Sequence, residues 1–376
     1  MRPMYLDLHK SKTQYVRQID YIVLVLVLAL STIGILVLAS ALANRDGGNE
    51  MLTKQIVFMF VGFFIAVLLA RFDYNEYKVL GFLLYMLSTF LLLLVKIMPT
   101  TSFGSSSWLQ LPIIGRFQPS EIAKITFIMV VSVFLARLRD GEGKALTNII
   151  KLVVYSAIPI IFIADQPDYG TAMVFVFIII AILYIFGVKL RFFLFALLGS
   201  IPILAGLWFF IFNDQRRGRI LTFLNIGSAN SDAAYQIKRS ITTIGSGQFG
   251  GKGLFTGALT QKGVVPINES DFIFTVVGEE LGFIGSVFVI TLFVLLLIRC
   301  IYVAYYARDT YGTLLVTGIT GMIGFHFFQN IGMSIGIMPV TGIPLPFFSL
   351  GNSAMLTNFI AVGIILSVSM RKRRAS

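Results

Sequence analysis

The chain has 376 residues, of which 57% are hydrophobic and only 13% charged, and its mean hydropathy of +0.86 excludes an ordinary soluble globular protein. The formal net charge of +12 would suit nucleic acid, but Lys and Arg sit at the ends of apolar runs and not on a soluble face, so no nucleic-acid partner is expected. The one cysteine, Cys300, excludes an intramolecular disulfide and a cysteine-based metal site, and is expected in a helix end as a small apolar residue.

The first apolar run, residues 19–43, is too long for the core of a signal peptide and no soluble domain follows it. It reads as the first of about ten transmembrane helices, the others being 52–70, 79–98, 119–138, 149–164, 171–188, 192–212, 272–298, 313–333 and 354–370. Lys54 and Gln55 intrude at the start of the second. The expected fold is therefore all-α, a polytopic integral membrane protein forming one membrane domain over residues 1–376. With the N-terminus inside, the cytoplasmic segments hold Arg2, Lys10, Lys12, Arg17, Arg71, Lys78, Arg137, Arg139, Lys144, Lys151, Lys189, Arg191, Arg299, Arg308 and the basic tail 371–374. That asymmetry places both termini in the cytoplasm.

The one long connection, residues 213–271, then lies outside, and it carries Arg216, Arg217, Arg219, Lys238, Arg239, Lys252 and Lys262 among Gly and Ser. Apolar residues recur in it (Ile220, Leu221, Phe223, Leu224, Ile237, Ile241 and Ile244), a pattern that predicts short helices lying at the membrane surface. Long ordered loops are commonly functional, so the function is expected here. No internal repeat or low-complexity tract interrupts the chain.

Ionisable groups at membrane depth are expensive and point to function. At the start of the fourth span, Pro119 and Ser120 open a helix, and Glu121 and Lys124, three residues apart, share a face and can pair. The pair reads as a lock between helices or as a polar cavity wall facing substrate, and the two readings are compatible. Between the fifth and sixth spans, Pro167 pins a turn and Asp168 suits a helix cap. In the long loop, Gly245, Gly247, Gly250, Gly251 and Gly253 surround Lys252, a stretch able to cradle phosphate or simply to flex. Asp271 ends the loop at the membrane boundary, where a cap is the plainer reading, while Glu279 and Glu280 lie a turn or two deeper. In the ninth span, His326 is expected to bond a neighbouring helix. Beyond it, Pro339, Pro344 and Pro346 break the chain at a depth where irregular backbone must line protein or a cavity.

Together, residues 117–124 (FQPSEIAK), 166–172 (QPDYGTA), 270–274 (SDFIF) with 278–282 (GEELG), and 330–347 (NIGMSIGIMPVTGIPLPF) resemble, in order, the SEDS family of shape, elongation, division and sporulation proteins. Residues 337–347 are similar to its RodA, cell-elongation branch rather than its FtsW, division branch. The resemblance implies ten helices, a long outer loop, and a glycosyltransferase polymerising lipid II, an undecaprenyl-linked precursor, on the outer face of the bacterial cytoplasmic membrane. It places the family's essential aspartate on Asp271 and its Glu and Lys on Glu121 and Lys124. It further implies a class B penicillin-binding protein as transpeptidase partner, with other elongation-complex membrane proteins in reach. The chain departs from the family at Ser107 before Trp108, at Ile267 and Glu269 before Asp271, at Lys238 and Arg239, and at Leu350-Gly351-Asn352.

The chemistry agrees. A lipid diphosphate is already a good leaving group, so the reaction needs a base for the acceptor hydroxyl and positive charge for the departing diphosphate. Asp271 is the candidate base. Lys238, Arg239 and Lys252, with Glu121, Lys124, Glu279 and Glu280, are the candidate substrate-binding groups. No organic cofactor is expected, and a divalent cation, Mg or Mn, is an alternative source of the positive charge. A flippase for the same lipid-linked precursor would also use Glu121–Lys124 and the broken Pro-rich segment, but the charge gathers on one side in one loop. A scaffold has no reason to hold several carboxylates at an interface. Another polyprenyl-linked glycan transferase or ligase shares the many-helical layout with a long outer loop.

Overall fold

The computed structural model describes residues 19–97, 100–102, 105–111, 115–212, 217–218, 221 and 232–372. The sequence expectations for Arg2, Lys10, Lys12, Arg17, Arg216, Arg219, Ile220, Phe223, Leu224, Arg373 and Arg374 fall outside those residues. Every expected span is helical: α1 Tyr21–Leu42, α2 Gly48–Arg71, α3 Tyr77–Ile97, α4 Pro119–Arg139, α5 Ala145–Asp165, α6 Tyr169–Phe186 and α7 Leu190–Gly206. After the long connection, which contains α8 Asp232–Ser246, come α9 Ile273–Tyr305, α10 Thr310–Ser334 and α11 Asn352–Ser369. Eight of these are long and apolar enough to cross a membrane. The other two expected crossings are α7, a shorter apolar helix that runs into a π-helical turn at Leu207–Ile211, and α4, which carries Glu121 and Lys124. One feature was not expected from an all-α reading. Strands β1 Thr100–Ser102, β2 Ser105–Leu111 and β3 Gly115–Phe117 form a small antiparallel sheet between α3 and α4.

The layering explains how charges are tolerated. From Ala123 to Ala136 every residue of α4 is buried, because α3, α5, α10 and α11 pack around it. Lipid tails are as apolar as leucine, so helices here associate through close van der Waals packing and not through apolar burial from water. The α2–α11 crossing shows this: a Cβ on Gly363 would lie 2.8 Å from Ala66 O, so only glycine admits this approach. Cys300, near the end of α9, is fully buried in the core as expected.

The end of the bundle that holds Asp20 and Lys372 is closed by ion pairs. Asp20 caps α1 and takes Arg299 of α9 at 2.9 Å and Lys372 at 3.3 Å. Burial alone would raise the Asp20 carboxyl, but the Arg299 hydrogen bond and the charges of Lys372 and Arg299 outweigh it and hold the group below its usual range. Arg371 donates to Arg71 O at 3.0 Å and to Ser367 O at 2.9 Å, tying the C-terminal tail to the end of α2.

Candidate active site

Asp271 sits at the opposite end, where the long connection enters α9, and is partly exposed. It does not cap the helix. The N-cap position belongs to Phe272, and no side chain bonds there. The Asp271 carboxylate accepts from Ser270 Oγ at 3.0 Å and faces Gly342, where an added Cβ would lie 3.3 Å from Oδ2. Its backbone is strapped down. Glu269 O accepts from Leu350 N (2.9 Å), Ser270 O from Ser349 Oγ (2.5 Å) and Asp271 O from Asn330 Nδ2 (2.8 Å), so three successive carbonyls are held by the α10–α11 region. Arg45, beyond the end of α1, adds bonds to Glu269 Oε1 (2.6 Å) and Asn268 Oδ1 (3.1 Å).

Two bulky residues in the left-handed region flank this frame, Ile267 at φ 56° and Phe347 at φ 66°. Such backbone persists only where the surroundings over-determine it.

Glu279 and Glu280 lie in a π-helical turn of α9, Val277–Leu281. A π turn breaks the regular ladder of helix hydrogen bonds. Here the glycine-rich loop supplies donors: Lys252 N reaches Glu279 O at 3.0 Å and Gly253 N reaches Glu280 O at 2.9 Å. Gly251, at φ +78°, must be glycine, since a Cβ there would lie 2.3 Å from Glu280 O. These amides therefore serve α9, which answers the phosphate-cradle reading of the loop.

The Glu279 carboxylate takes Lys252 Nζ (2.6 Å), Thr260 N (2.7 Å), Thr260 Oγ1 (2.8 Å) and Leu259 N (3.0 Å). Glu280 Oε1 takes Ser40 Oγ of α1 at 2.6 Å and Gly257 N at 3.3 Å. Glu279, Glu280 and Lys252, expected to meet substrate, are thus turned onto the loop and α1 and engaged by the chain's own groups. Both glutamates are at most 1% exposed, but among the described residues only Glu279 meets a cation, while Glu280 has neutral donors on Oε1 and no hydrogen-bond partner on its buried Oε2.

Lys238 and Arg239 differ. Both are exposed on α8, with Arg239 over the Tyr235 ring at 4.9 Å. The helix turns Ile237, Ser240 and Ile244 inward, while Ile241 stays half-exposed. Ile237 packs on the cluster of Val265, Val340 and Phe272, the last adjacent to Asp271. The two cations are therefore carried by a helix seated against the Asp271 region.

Beneath the site, Lys124 Nζ bonds Glu121 Oε1 at 2.8 Å and His326 Nε2 of α10 at 3.0 Å. His326 Nδ1 lies 2.8 Å from Met322 O, which can only accept. Nδ1 therefore carries the proton and Nε2 receives one from the ammonium. The expected ion pair forms, and His326 bonds a neighbouring helix as expected. Asp168 caps α6 through Thr171 N (3.1 Å) and also accepts Gln118 Nε2 (3.1 Å) from the start of α4. Burial pushes the Asp168 carboxyl up, against the bonds from Thr171 and the charge of Lys124.

A Cβ on Gly170 would lie 2.5 Å from Thr341 O, next to the Gly342 that faces Asp271. The α4 and α6 starts, the Pro-rich segment and Asp271 thus adjoin in one polar seam. Ser107, one of the departures from the family pattern, is buried at the same turn, its Oγ 3.5 Å from Gln166 O. The sequence assigned no role to Arg45, Ser349 or Gly342. Asn330 and Gln55 carried a signal, being amides inside apolar runs.

A many-helical protein with an uncapping surface carboxylate, exposed loop cations and a buried polar seam fits a lipid-substrate enzyme at a membrane face. The chain belongs to the FtsW/RodA/SpoVE family of cell cycle proteins, whose model matches residues 19–374. It is 34% identical over 358 residues to the peptidoglycan glycosyltransferase MrdB of Escherichia coli K12, covering 95% of each chain. It is also 31% identical over 368 residues to the probable peptidoglycan glycosyltransferase FtsW of Geobacter sulfurreducens, covering 96% of this chain and 97% of that one. Among solved structures it resembles the rod shape determining protein RodA of Thermus thermophilus, with a TM-score of 0.69, 26% identity, and coverage of 95% of this chain and 98% of that chain. A chain from a peptidoglycan synthase complex that coordinates polymerization and crosslinking matches with a TM-score of 0.79 at 26% identity, covering 93% of this chain and 97% of that one.

Proposed function

We propose that this chain is a RodA-like peptidoglycan glycosyltransferase, polymerising lipid II on the outer face of the bacterial cytoplasmic membrane during cell elongation. The observation that carries the reading is Asp271, a surface carboxylate without a capping duty whose backbone is fixed at three successive carbonyls. In the reaction an acceptor sugar hydroxyl bonds to the donor's anomeric carbon, the bond from that carbon to the diphosphate oxygen breaks, and Asp271 takes the hydroxyl proton. Lys238 and Arg239, exposed on α8, meet the charge that develops on the departing polyprenyl diphosphate. Glu121 and Lys124 act from beneath, through the seam of Gln118, Asp168 and residues 341–342. Lys252, Glu279 and Glu280 hold the loop to α9.

The mechanism calls for no organic cofactor. Among the described residues no three Asp, Glu, His or Cys side chains gather as a metal cage. A magnesium or manganese ion serving here would take most ligands from the diphosphate and water, as magnesium commonly does, with Asp271 as its protein carboxylate, and would add positive charge at the leaving group.

The Lys/Arg distribution supports cytoplasmic termini and an external 213–271 connection. A class B penicillin-binding protein is the proposed partner, supported by the likeness to the chain from the synthase complex; co-purification in mild detergent tests it. The activity is tested by incubating the purified protein with lipid II and resolving polymer on a gel. Asp271→Asn keeps the side chain's shape but cannot take up the proton, so its rate should fall by roughly 10²–10⁴-fold with folding unchanged. A near-parental rate would remove Asp271 from the chemistry.

A further inference from the structure

Gln55 has no role in the mechanism above, yet it is an amide buried completely in the membrane-crossing helix α2. Both arms of its side chain are used by one distant segment. Nε2 donates to Ser349 O at 3.0 Å, and Oε1 accepts from Gly351 N at 3.1 Å. These partners lie in the non-helical run before α11, where backbone groups at membrane depth have neither water nor a helix to satisfy them.

The segment so held is the one that straps Asp271. Ser349 Oγ donates to Ser270 O and accepts from Leu345 N at 2.8 Å, and Leu350 N donates to Glu269 O at 2.9 Å. A continuous path thus runs from α2 through the 349–351 backbone to the residues just before Asp271. Asn330 closes the other side, donating to Asp271 O and Ile343 O.

We infer that Gln55 is a positioning residue for the glycosyl transfer, setting the height and aim of Asp271 through Ser349 and Leu350 without touching substrate. The inference rests on the assignment of Asp271 as base. Removing the amide frees the 349–351 turn to shift. Misplacement of a reacting group by about 1 Å can lower a rate by roughly 10²-fold. The effect should fall on kcat, because Gln55 is fully buried and bonds none of the groups assigned above to the lipid diphosphate.

The experiment compares Gln55→Leu, Gln55→Glu and Asp271→Asn with the parent in lipid II polymerisation across pH. Gln55→Leu should lower kcat by about 10–100-fold with KM within about twofold. Gln55→Glu is the informative rescue. Protonated, the acid donates to Ser349 O and accepts from Gly351 N as the amide does; ionised, it has no donor. Its rate relative to the parent should therefore be high at low pH and fall as pH rises. That trend would not follow from general loosening of the fold, and it can be read even if Gln55→Leu fails to fold. A folded Gln55→Leu with parental kcat, or a pH-independent ratio for Gln55→Glu, overturns the inference. Near-parental Asp271→Asn instead sinks the assignment on which it rests.

Discussion

Replacing Lys124 with methionine removes one charge from the most enclosed ion pair among the described residues. The Lys124 and Glu121 side chains are 2% and 6% exposed, and their 2.8 Å contact is backed by His326 Nε2 at 3.0 Å. Methionine fills similar volume but leaves the Glu121 carboxylate without its cation and His326 without its donor. Breaking a buried pair from one side costs about 3–5 kcal/mol, most of it the stranded charge. The second change, Glu121→Gln, removes that charge, so the double variant should lie only about 1–2 kcal/mol below the parent and about 2–3 kcal/mol above Lys124→Met alone. Equilibrium unfolding in mixed micelles, titrating the SDS fraction and following tryptophan fluorescence, measures all four members of the cycle. The reasoning fails if Lys124→Met lies within about 0.5 kcal/mol of the parent, the usual range for changes away from such features, or if the double variant is no more stable than the single one.

At the opposite end, Asp20→Asn should cost about 1–3 kcal/mol at pH 7, less than a fully buried pair because Arg299 and Lys372 are each 25% exposed. Asp20 titrates below its ordinary 3.8 when folded. Its contribution is therefore complete above roughly pH 5 and lost as pH falls through the folded value. A parent-to-variant gap at pH 3 as wide as at pH 7 would contradict this. Gly251→Ala places a Cβ 2.3 Å from Glu280 O at φ +78°. The backbone strain alone is about 1–2 kcal/mol, and roughly tenfold faster proteolysis within residues 247–257 should follow; unchanged cleavage would show that the loop is not pinned to α9. In a Cys300→Ser background, Lys238→Cys should react with an impermeant thiol reagent from outside the cell and Lys372→Cys should not; the reverse pattern would invert the topology.

How much was legible in advance follows from what a membrane demands of a chain. About 20 apolar residues are needed to cross, so each helix was visible as a run, and its charges at the ends suggested which way it points. Glu121 with Lys124, and Asp271, stood out because ionisable groups near the bilayer are exceptional. The partners of those residues were not legible. In lipid a helix is apolar on every face, so periodicity does not say which side meets which neighbour. Gln55 and Ser349 are 294 residues apart, and nothing local in either predicts their bond. Glu279 and Glu280 read as substrate contacts by depth alone; the π turn of α9 and the glycine loop turned them toward Lys252, Thr260 and Ser40. The strands at 100–117 were not legible because they are only three to seven residues long and nearly half Ser and Thr, which carry little pattern. Sequence determined the spans, their order and the exceptional charges, since each follows from the transfer of single residues into hydrocarbon. Only the tertiary structure decided whether a given carboxylate faces solvent or the chain's own donors, because that depends on which backbone groups other helices bring to it.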